Sequence, residues 1–346
     1  MLQLQRMSVE TSRVKLSLIE AGGGEECILF IHGNLMCKEF WDDVVAELAG
    51  EYRCIAVDLR GFGDSEAKPV DATQGVRDYS MDLLELSDLL KLSRVHLVAH
   101  SMGAAVALQY LLDSPQRVAS VTLAAPVSPY GFGGTRDING TPCYPDYAGS
   151  GGGLIAKYNP RFLELLSLKY TGADEAVAPR LVLRGMFKQG YTPPVELEER
   201  LLKGMLKAKL GEEYYPGDYV ESPNWPHVAP GSKGVLNSIS PRYLNLHPAV
   251  DLEQKPPVLW LRGAYDLVVS DRSLYDPAVL GQLEIIPGYP GEDEYPPQPM
   301  ESQMRALLEE YAEKGGYYRE VQLDTGHMIP LEARREFVSE LRRHIS

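Results

Sequence analysis

Val98-Ala99-His100-Ser101-Met102-Gly103 stands between a short apolar run, 95–99, and a run of strong helix formers, 104–112. Valine and leucine before it and alanine and leucine after it read as a strand that turns directly into a helix. A turn that tight has room only for small residues two places before and two places after its centre. Ala99 and Gly103 meet that requirement, although glycine is the more usual residue at the first place, so the pattern is the Ala-x-Ser-x-Gly variant. In this setting Ser101 is held at a strained backbone angle, its hydroxyl exposed at the carboxyl edge of the sheet, where open α/β sheets bind ligands. A serine that only caps the following helix is the plain alternative.

Outward from this turn, short apolar runs alternate with helix-period segments. Residues 27–31 (CILFI), 53–57, 95–99 and 118–125 read as buried strands. Between them, 39–48 places Phe40, Val44, Val45 and Leu48 on one helix face, Ser80 is the expected N-cap of a helix over 81–92, and 104–112 stops near Ser114-Pro115. The order β-α-β-α-β-α-β requires parallel strands joined by crossovers. From about Tyr130 the period is lost among Gly131-Phe132-Gly133-Gly134 and Gly149-Ser150-Gly151-Gly152-Gly153, and helical pieces over 161–170 and 196–210 follow. The core resumes at 257–262 (PVLWLR), with a last strand at 321–323 and a closing amphipathic helix over 331–345. The acidic, proline-rich stretch 287–299 is expected to be a surface excursion. The expected fold is therefore α/β: a doubly wound, mostly parallel sheet built from 1–129 and 251–346, with a mainly helical cap inserted over 130–250.

A length of 346 residues suits one large core plus such an insertion. With 44% hydrophobic and 24% charged residues, neither a disordered nor a fibrous chain fits. The net charge of −14 repels phosphate backbones and anionic lipid, so neither nucleic acid nor a membrane is the expected partner. Residues 1–13 lack the apolar stretch of a signal peptide, and no later apolar run reaches about 18 residues, from which a soluble, cytoplasmic protein is expected. Cys27, Cys37, Cys54 and Cys143 have no paired spacing, so neither disulfides nor a zinc site is expected, and Cys27 and Cys54 read as buried free thiols.

Five islands, in order, make the chain resemble the α/β-hydrolase fold superfamily, in its capped esterase, lipase and haloperoxidase-like branch. They are Phe30-Ile31-His32-Gly33-Asn34, Asp58-Leu59-Arg60-Gly61-Phe62-Gly63-Asp64-Ser65, the Ser101 turn, Leu261-Arg262-Gly263-Ala264-Tyr265-Asp266 and Thr325-Gly326-His327-Met328-Ile329-Pro330. The core resemblance covers 26–126 and 256–346; the segment between matches by position only.

The resemblance implies a triad in the chain order Ser101, Asp266, His327. Ser101 is a weak nucleophile until a base takes its proton; His327 supplies that base, and a carboxylate orients it. Asp266 directly follows the PVLWLR strand, where the superfamily places its acid. Asp271, Asp293 and Asp324 are its rivals: the first lies five residues farther along, the second sits in the acidic excursion, and the third is too near His327 in sequence to face it easily. The resemblance also implies an oxyanion hole formed by the backbone N–H groups of Asn34 and Met102, such donors being worth roughly 2.7–4 kcal/mol each in a transition state. His32, His100 and the 58–65 island are expected to be architectural.

The reaction so implied is hydrolysis of a small to medium carboxylic ester through an acyl-enzyme, on a small-molecule substrate, with no cofactor and no metal. Amide or peptide cleavage of the iminopeptidase kind, lactone or C–C bond cleavage on the same triad, and a non-catalytic ligand receptor are alternatives, since fold and triad do not set the substrate. Acidic cap residues such as Glu196, Glu198, Glu199, Glu212 and Glu213 read mostly as a solvated helix face, a subset of which could hold a substrate amine. The cap tyrosines suit either a pocket lining or the packing of an irregular insertion. Ser12-Arg13-Val14-Lys15 fits SxxK without its partner motifs, His96 and His100 lack an HExxH context, and Gly61-Phe62-Gly63 lacks a nucleotide fingerprint.

Overall fold

The computed structural model describes residues 4–345. Its centre is one eight-stranded sheet. Six strands come first in the chain: β1 (Gln5–Glu10), β2 (Lys15–Ala21), β3 (Cys27–Ile31), β4 (Arg53–Val57), β5 (Val95–His100) and β6 (Val118–Ala124). Four short strands of the insertion pair among themselves, β7 (Leu210–Gly211) with β8 (Tyr215–Pro216) and β9 (Tyr219–Glu221) with β10 (Val228–Pro230). β11 (Val258–Gly263) and β12 (Tyr318–Leu323) then complete the sheet, whose order is β1-β2-β4-β3-β5-β6-β11-β12. β2 alone runs against the rest, pairing antiparallel with β1 on one side and β4 on the other. The fold is thus the mostly parallel α/β arrangement the runs predict. β3 and β5 are buried at every residue, because helices cover both faces and no polar alternation is needed.

The flanking helices are α1 (Asp42–Leu48), α2 (Arg77–Leu89) and α3 (Met102–Asp113). Ala104, Ala105 and Ala107 let α3 lie in the core along nearly its whole length. The insertion contributes α4 (Gly153–Tyr158), α5 (Pro160–Ser167), α6 (Pro179–Gly185), α7 (Val195–Met205) and α8 (Val235–Ser238). α9 (Pro277–Gln282), α10 (Met300–Glu313), α11 (Ile329–Glu332) and α12 (Arg334–Ile345) complete the chain.

Three expectations are corrected. Ser80 does not cap α2, which starts at Arg77 just after the turn at Gly75 (φ +63°); Ser80 is buried inside the helix and its hydroxyl donates to Asp113 at 2.7 Å. The helix expected over 39–48 is split into a 3-10 turn, Lys38–Trp41, and α1. The 287–299 stretch is more than a surface excursion, since Tyr295 and Gln298 are fully buried. The Tyr295 hydroxyl donates to the Ala148 carbonyl at 3.0 Å, Gln298 Nε2 donates to the Gly131 carbonyl at 3.0 Å, and the Trp225 indole donates to the Pro287 carbonyl at 2.9 Å. The acids and prolines around it face outward and mask these anchors, which tie the returning chain to the insertion. No helix among the described residues is long and apolar enough to cross a membrane, and all four cysteines are free.

Candidate active site

Ser101 sits in the turn from β5 into α3 with φ +54° and ψ −122°, a left-handed conformation rare for a side chain other than glycine. Neighbouring backbone holds it there: its N–H donates to the Ala124 carbonyl at 3.0 Å, and its carbonyl accepts from Ala104 at 3.0 Å. The small residues are explained by contact. A Cβ on Gly103 would lie 2.5 Å from the His32 carbonyl oxygen, and one on Gly33 would lie 2.9 Å from the Ser101 Cβ. The loop after β3 therefore passes directly against the serine. Met102 opens α3, where helix geometry leaves the first N–H groups without partners inside the helix and favours negative charge.

The loops after β11 and β12 bring Asp266 and His327 together. His327 Nδ1 lies 2.8 Å from Asp266 Oδ2, and both side chains are nearly sealed from solvent. The second carboxylate oxygen of Asp266 accepts the N–H groups of Val268 at 2.7 Å and Val269 at 2.9 Å, which fixes its orientation. The rivals stand elsewhere. Asp271 accepts from Ser302, Asp324 pairs with Lys188 at 2.6 Å, and Asp293 is exposed in the 287–299 stretch.

Two supports of the His327 loop have no motif in the sequence. The His327 N–H donates to the Met186 carbonyl of the insertion at 2.8 Å. Glu332, in α11, accepts from the N–H groups of Gly326, Met328 and Lys188. Nothing in the sequence singles out Glu332 beyond an acid soon after the histidine.

His32 and the 58–65 island brace the floor of the site. His32 Nε2 accepts the Leu59 N–H at 3.0 Å, and burial holds its pKa below the ordinary value. The Lys38 ammonium meets Asp58 at 2.7 Å, Asp64 at 2.9 Å and Glu39 at 3.2 Å. Cys37, Glu39 and Asp58 bring possible ligand atoms within 4.8 Å of one another, but that ammonium already supplies the positive charge at two of them.

Ser101, His327, Asn34 and Met102 all open onto one cavity of about 440 Å³. Phe162, Val182, Tyr215 and Leu236, from between β6 and β11, are among its walls, as are Leu274 and Ile286. Among the described residues its lining contains no Asp, Glu, Lys or Arg. Glu196, Glu198, Glu199, Glu212 and Glu213 are absent from it; Glu198 instead pairs with Arg180 and Arg184. The chamber, lined by Ser101 and His327 among mostly apolar residues, is chemically suited to a neutral, largely apolar molecule.

The chain belongs to the α/β hydrolase fold family, whose model matches residues 26–289. It is 37% identical over 120 residues to the dihydrolipoyllysine-residue acetyltransferase component of the acetoin cleaving system of Cupriavidus necator, a match covering 35% of this chain and 31% of that protein. It is 40% identical over 105 residues to Probable lysophospholipase BODYGUARD 4 of Arabidopsis thaliana, covering 29% of this chain and 25% of that protein. The matches thus span about a quarter to a third of these curated relatives. In fold, the chain resembles carboxylesterase CesB of Bacillus subtilis with a TM-score of 0.60 at 16% identity, covering 99% of this chain and 92% of that one.

Proposed function

We propose that the protein is a cofactor-free serine hydrolase that cleaves a neutral carboxylic ester of small to medium size. The observation that carries the reading is the joint opening of strained Ser101 and the Asp266-paired His327 onto one uncharged apolar chamber. Ser101 Oγ attacks the ester carbonyl carbon as His327 Nε2 takes its proton. Asp266 keeps the imidazole proton on Nδ1 and stabilises the imidazolium. The N–H groups of Asn34 and Met102 receive the oxyanion. The C–O bond to the alcohol then breaks, and the alcohol leaves with the proton held by His327. Water attacks the acyl-enzyme with His327 again as base, and the carboxylic acid departs as Ser101 regains its proton.

In this reading residues 130–250 act as a cap over a core made of 1–129 and 251–346, which is consistent with their share of the chamber walls. The absence of carboxylates from the described lining favours an ester over an iminopeptidase substrate, whose ammonium needs a counter-charge.

The test is labelling with a fluorophosphonate and peptide mapping, together with a short-chain to long-chain ester panel on wild type and Ser101→Ala. Labelling at Ser101 and loss of turnover in the variant are expected. A folded, unlabelled wild type, or an active Ser101→Ala, overturns the assignment.

A further inference from the structure

Among the described residues, most exposed large apolar side chains stand singly or in pairs, which is ordinary. The stretch 267–285, which follows β11, is different. It leaves Leu267, Leu274, Leu283 and Ile285 exposed by 40%, 42%, 56% and 58%. Two of the four, Leu274 and Ile285, also line the chamber that holds Ser101 and His327. A side chain that belongs both to a cavity wall and to the outer surface marks where the cavity opens. Leu267 adjoins that opening, since its carbonyl accepts the Leu274 N–H at 2.9 Å. Leu283 stands in the turn that closes α9, where the Ile285 N–H donates to the carbonyl of Leu280, itself a lining residue, at 2.9 Å. Asp271 and Arg272, in between, have partners of their own: Ser302 donates to Asp271 at 2.6 Å, and Arg272 meets Glu292 at 3.4 Å. The apolar lining thus continues through the mouth onto the surface, a pattern that marks a binding groove.

Resting on the ester-hydrolase reading above, we infer that the substrate lies at the larger end of that range: an ester with an unbranched alkyl chain that outgrows the chamber and lays its far end on Leu267, Leu274, Leu283 and Ile285. The size of the chamber sets the length. Its volume of about 440 Å³ holds on the order of 15 non-hydrogen atoms at roughly 30 Å³ each, the share of a water molecule in the liquid. Continuity decides the occupant: two of the four side chains already face whatever fills the chamber, so a chain leaving through the mouth meets apolar surface rather than water. That chain is uncharged, because no Asp, Glu, Lys or Arg lines the described chamber it comes from. A methylene laid on such a strip is covered on one side only. It therefore adds a factor of roughly two to kcat/KM, where a fully buried one adds roughly four.

The experiment measures kcat/KM along two series, 4-nitrophenyl esters from butanoate to decanoate and 4-alkylphenyl acetates from ethyl to octyl. Substrates are kept below aggregation, checked by light scattering, so that single molecules are read. 4-Nitrophenyl butanoate and 4-butylphenyl acetate each have about as many atoms as the chamber holds. Past these members, wild type is expected to keep gaining roughly twofold per methylene in one series, and that series identifies the half of the ester that leaves through the mouth. The gain is lost in the double variant Leu274→Ser/Ile285→Ser. It is kept in Val195→Ser, which removes an apolar side chain 76% exposed and absent from the chamber lining. Leu283→Ser, also outside that lining, lowers the gain and keeps the test decisive if circular dichroism shows the double variant unfolded. No gain in either series, or a gain unchanged in both strip variants, overturns the inference while leaving the hydrolase reading intact. Self-association in sedimentation velocity that the strip variants abolish overturns it too, by making a second copy of the chain the occupant. Failure to cleave any member of either series, with no Ser101 labelling, removes the hydrolase reading and this inference with it.

Discussion

His100, the residue before Ser101, lies with Nε2 2.9 Å from the main-chain carbonyl of His327. The strand that ends at the serine therefore holds the loop that carries the histidine. A carbonyl can only accept, so the proton is on Nε2 and Nδ1 is bare. Nδ1 is buried without a partner, beside Gly33, where a Cβ would come within 2.8 Å of it. Burial, with the neighbouring His327 adding to it, drives the His100 pKa well below its ordinary value, consistent with a ring that stays neutral. His100→Leu removes this tether and leaves the His327 carbonyl unpaired. Steady-state kinetics are expected to show kcat lower by about 10- to 100-fold with KM changed far less. His100→Gln, which keeps an N–H donor, recovers part of the loss; equal defects in the two variants would show that shape alone matters.

Asp266→Asn is expected to keep the fold and lose the chemistry. The amide oxygen can still accept from Val268 and Val269. Its NH2 then faces His327 Nδ1 and forces the wrong tautomer, for which a loss of roughly ten-thousandfold in kcat is the precedent in a serine triad. A thermal midpoint close to wild type beside near-abolished turnover of 4-nitrophenyl butyrate is the expected pair of results. A variant with more than a tenth of wild-type kcat would remove Asp266 from the orienting role.

The sheet and the site were legible to different depths, for physical reasons. Buried parallel strands such as 27–31 and 95–99 are apolar runs, the second interrupted only by His96, and the Ser101 turn has steric demands that show in Ala99 and Gly103. β1 and β2 leave no clear signal because both mix polar residues into the run, and β1, at the edge of the sheet, is exposed along most of its length. The boundaries of α2 slipped because Ser80 has the chemistry of a cap and the position of a core contact. The Tyr295 anchor was hidden by its acidic neighbours. Contacts between backbone and side chain across long separations, such as Glu332 with Lys188, leave no periodic trace.

Glu332 joins the histidine loop to the insertion. One oxygen accepts from Gly326 at 3.0 Å and Met328 at 3.3 Å, the other from Lys188 at 2.9 Å. Burial pushes its carboxyl above the ordinary value, and these amides pull it back. Glu332→Gln keeps one accepting oxygen where the fold uses two, so thermal unfolding is expected to show a loss of about 1.5–3 kcal/mol, the worth of a hydrogen bond to a charged group. Because the amides flank His327, kcat should fall more than KM rises. Destabilisation without any change in kcat would separate the clamp from the chemistry.

Asp276 gives the stability curve a slope opposite to that of a salt-bridged acid. It caps α9 through the Ala278 N–H at 2.8 Å and accepts from Gln298 at 3.2 Å, but its complete burial raises its pKa from 3.8 to about 7. Between pH 4 and 7 the folded chain therefore keeps a proton that the unfolded chain releases. Stability from this group is full below about pH 4 and falls as pH rises to about 7, by on the order of 4 kcal/mol in all at 1.36 kcal/mol per pH unit. Urea unfolding of wild type and Asp276→Asn from pH 5 to 8 reads the effect as a difference, so that other titrating groups cancel. The variant is expected to gain on wild type steadily as pH rises and to level off near pH 8. Parallel curves would mean that the Asp276 carboxyl ionises in the fold as easily as in the unfolded chain.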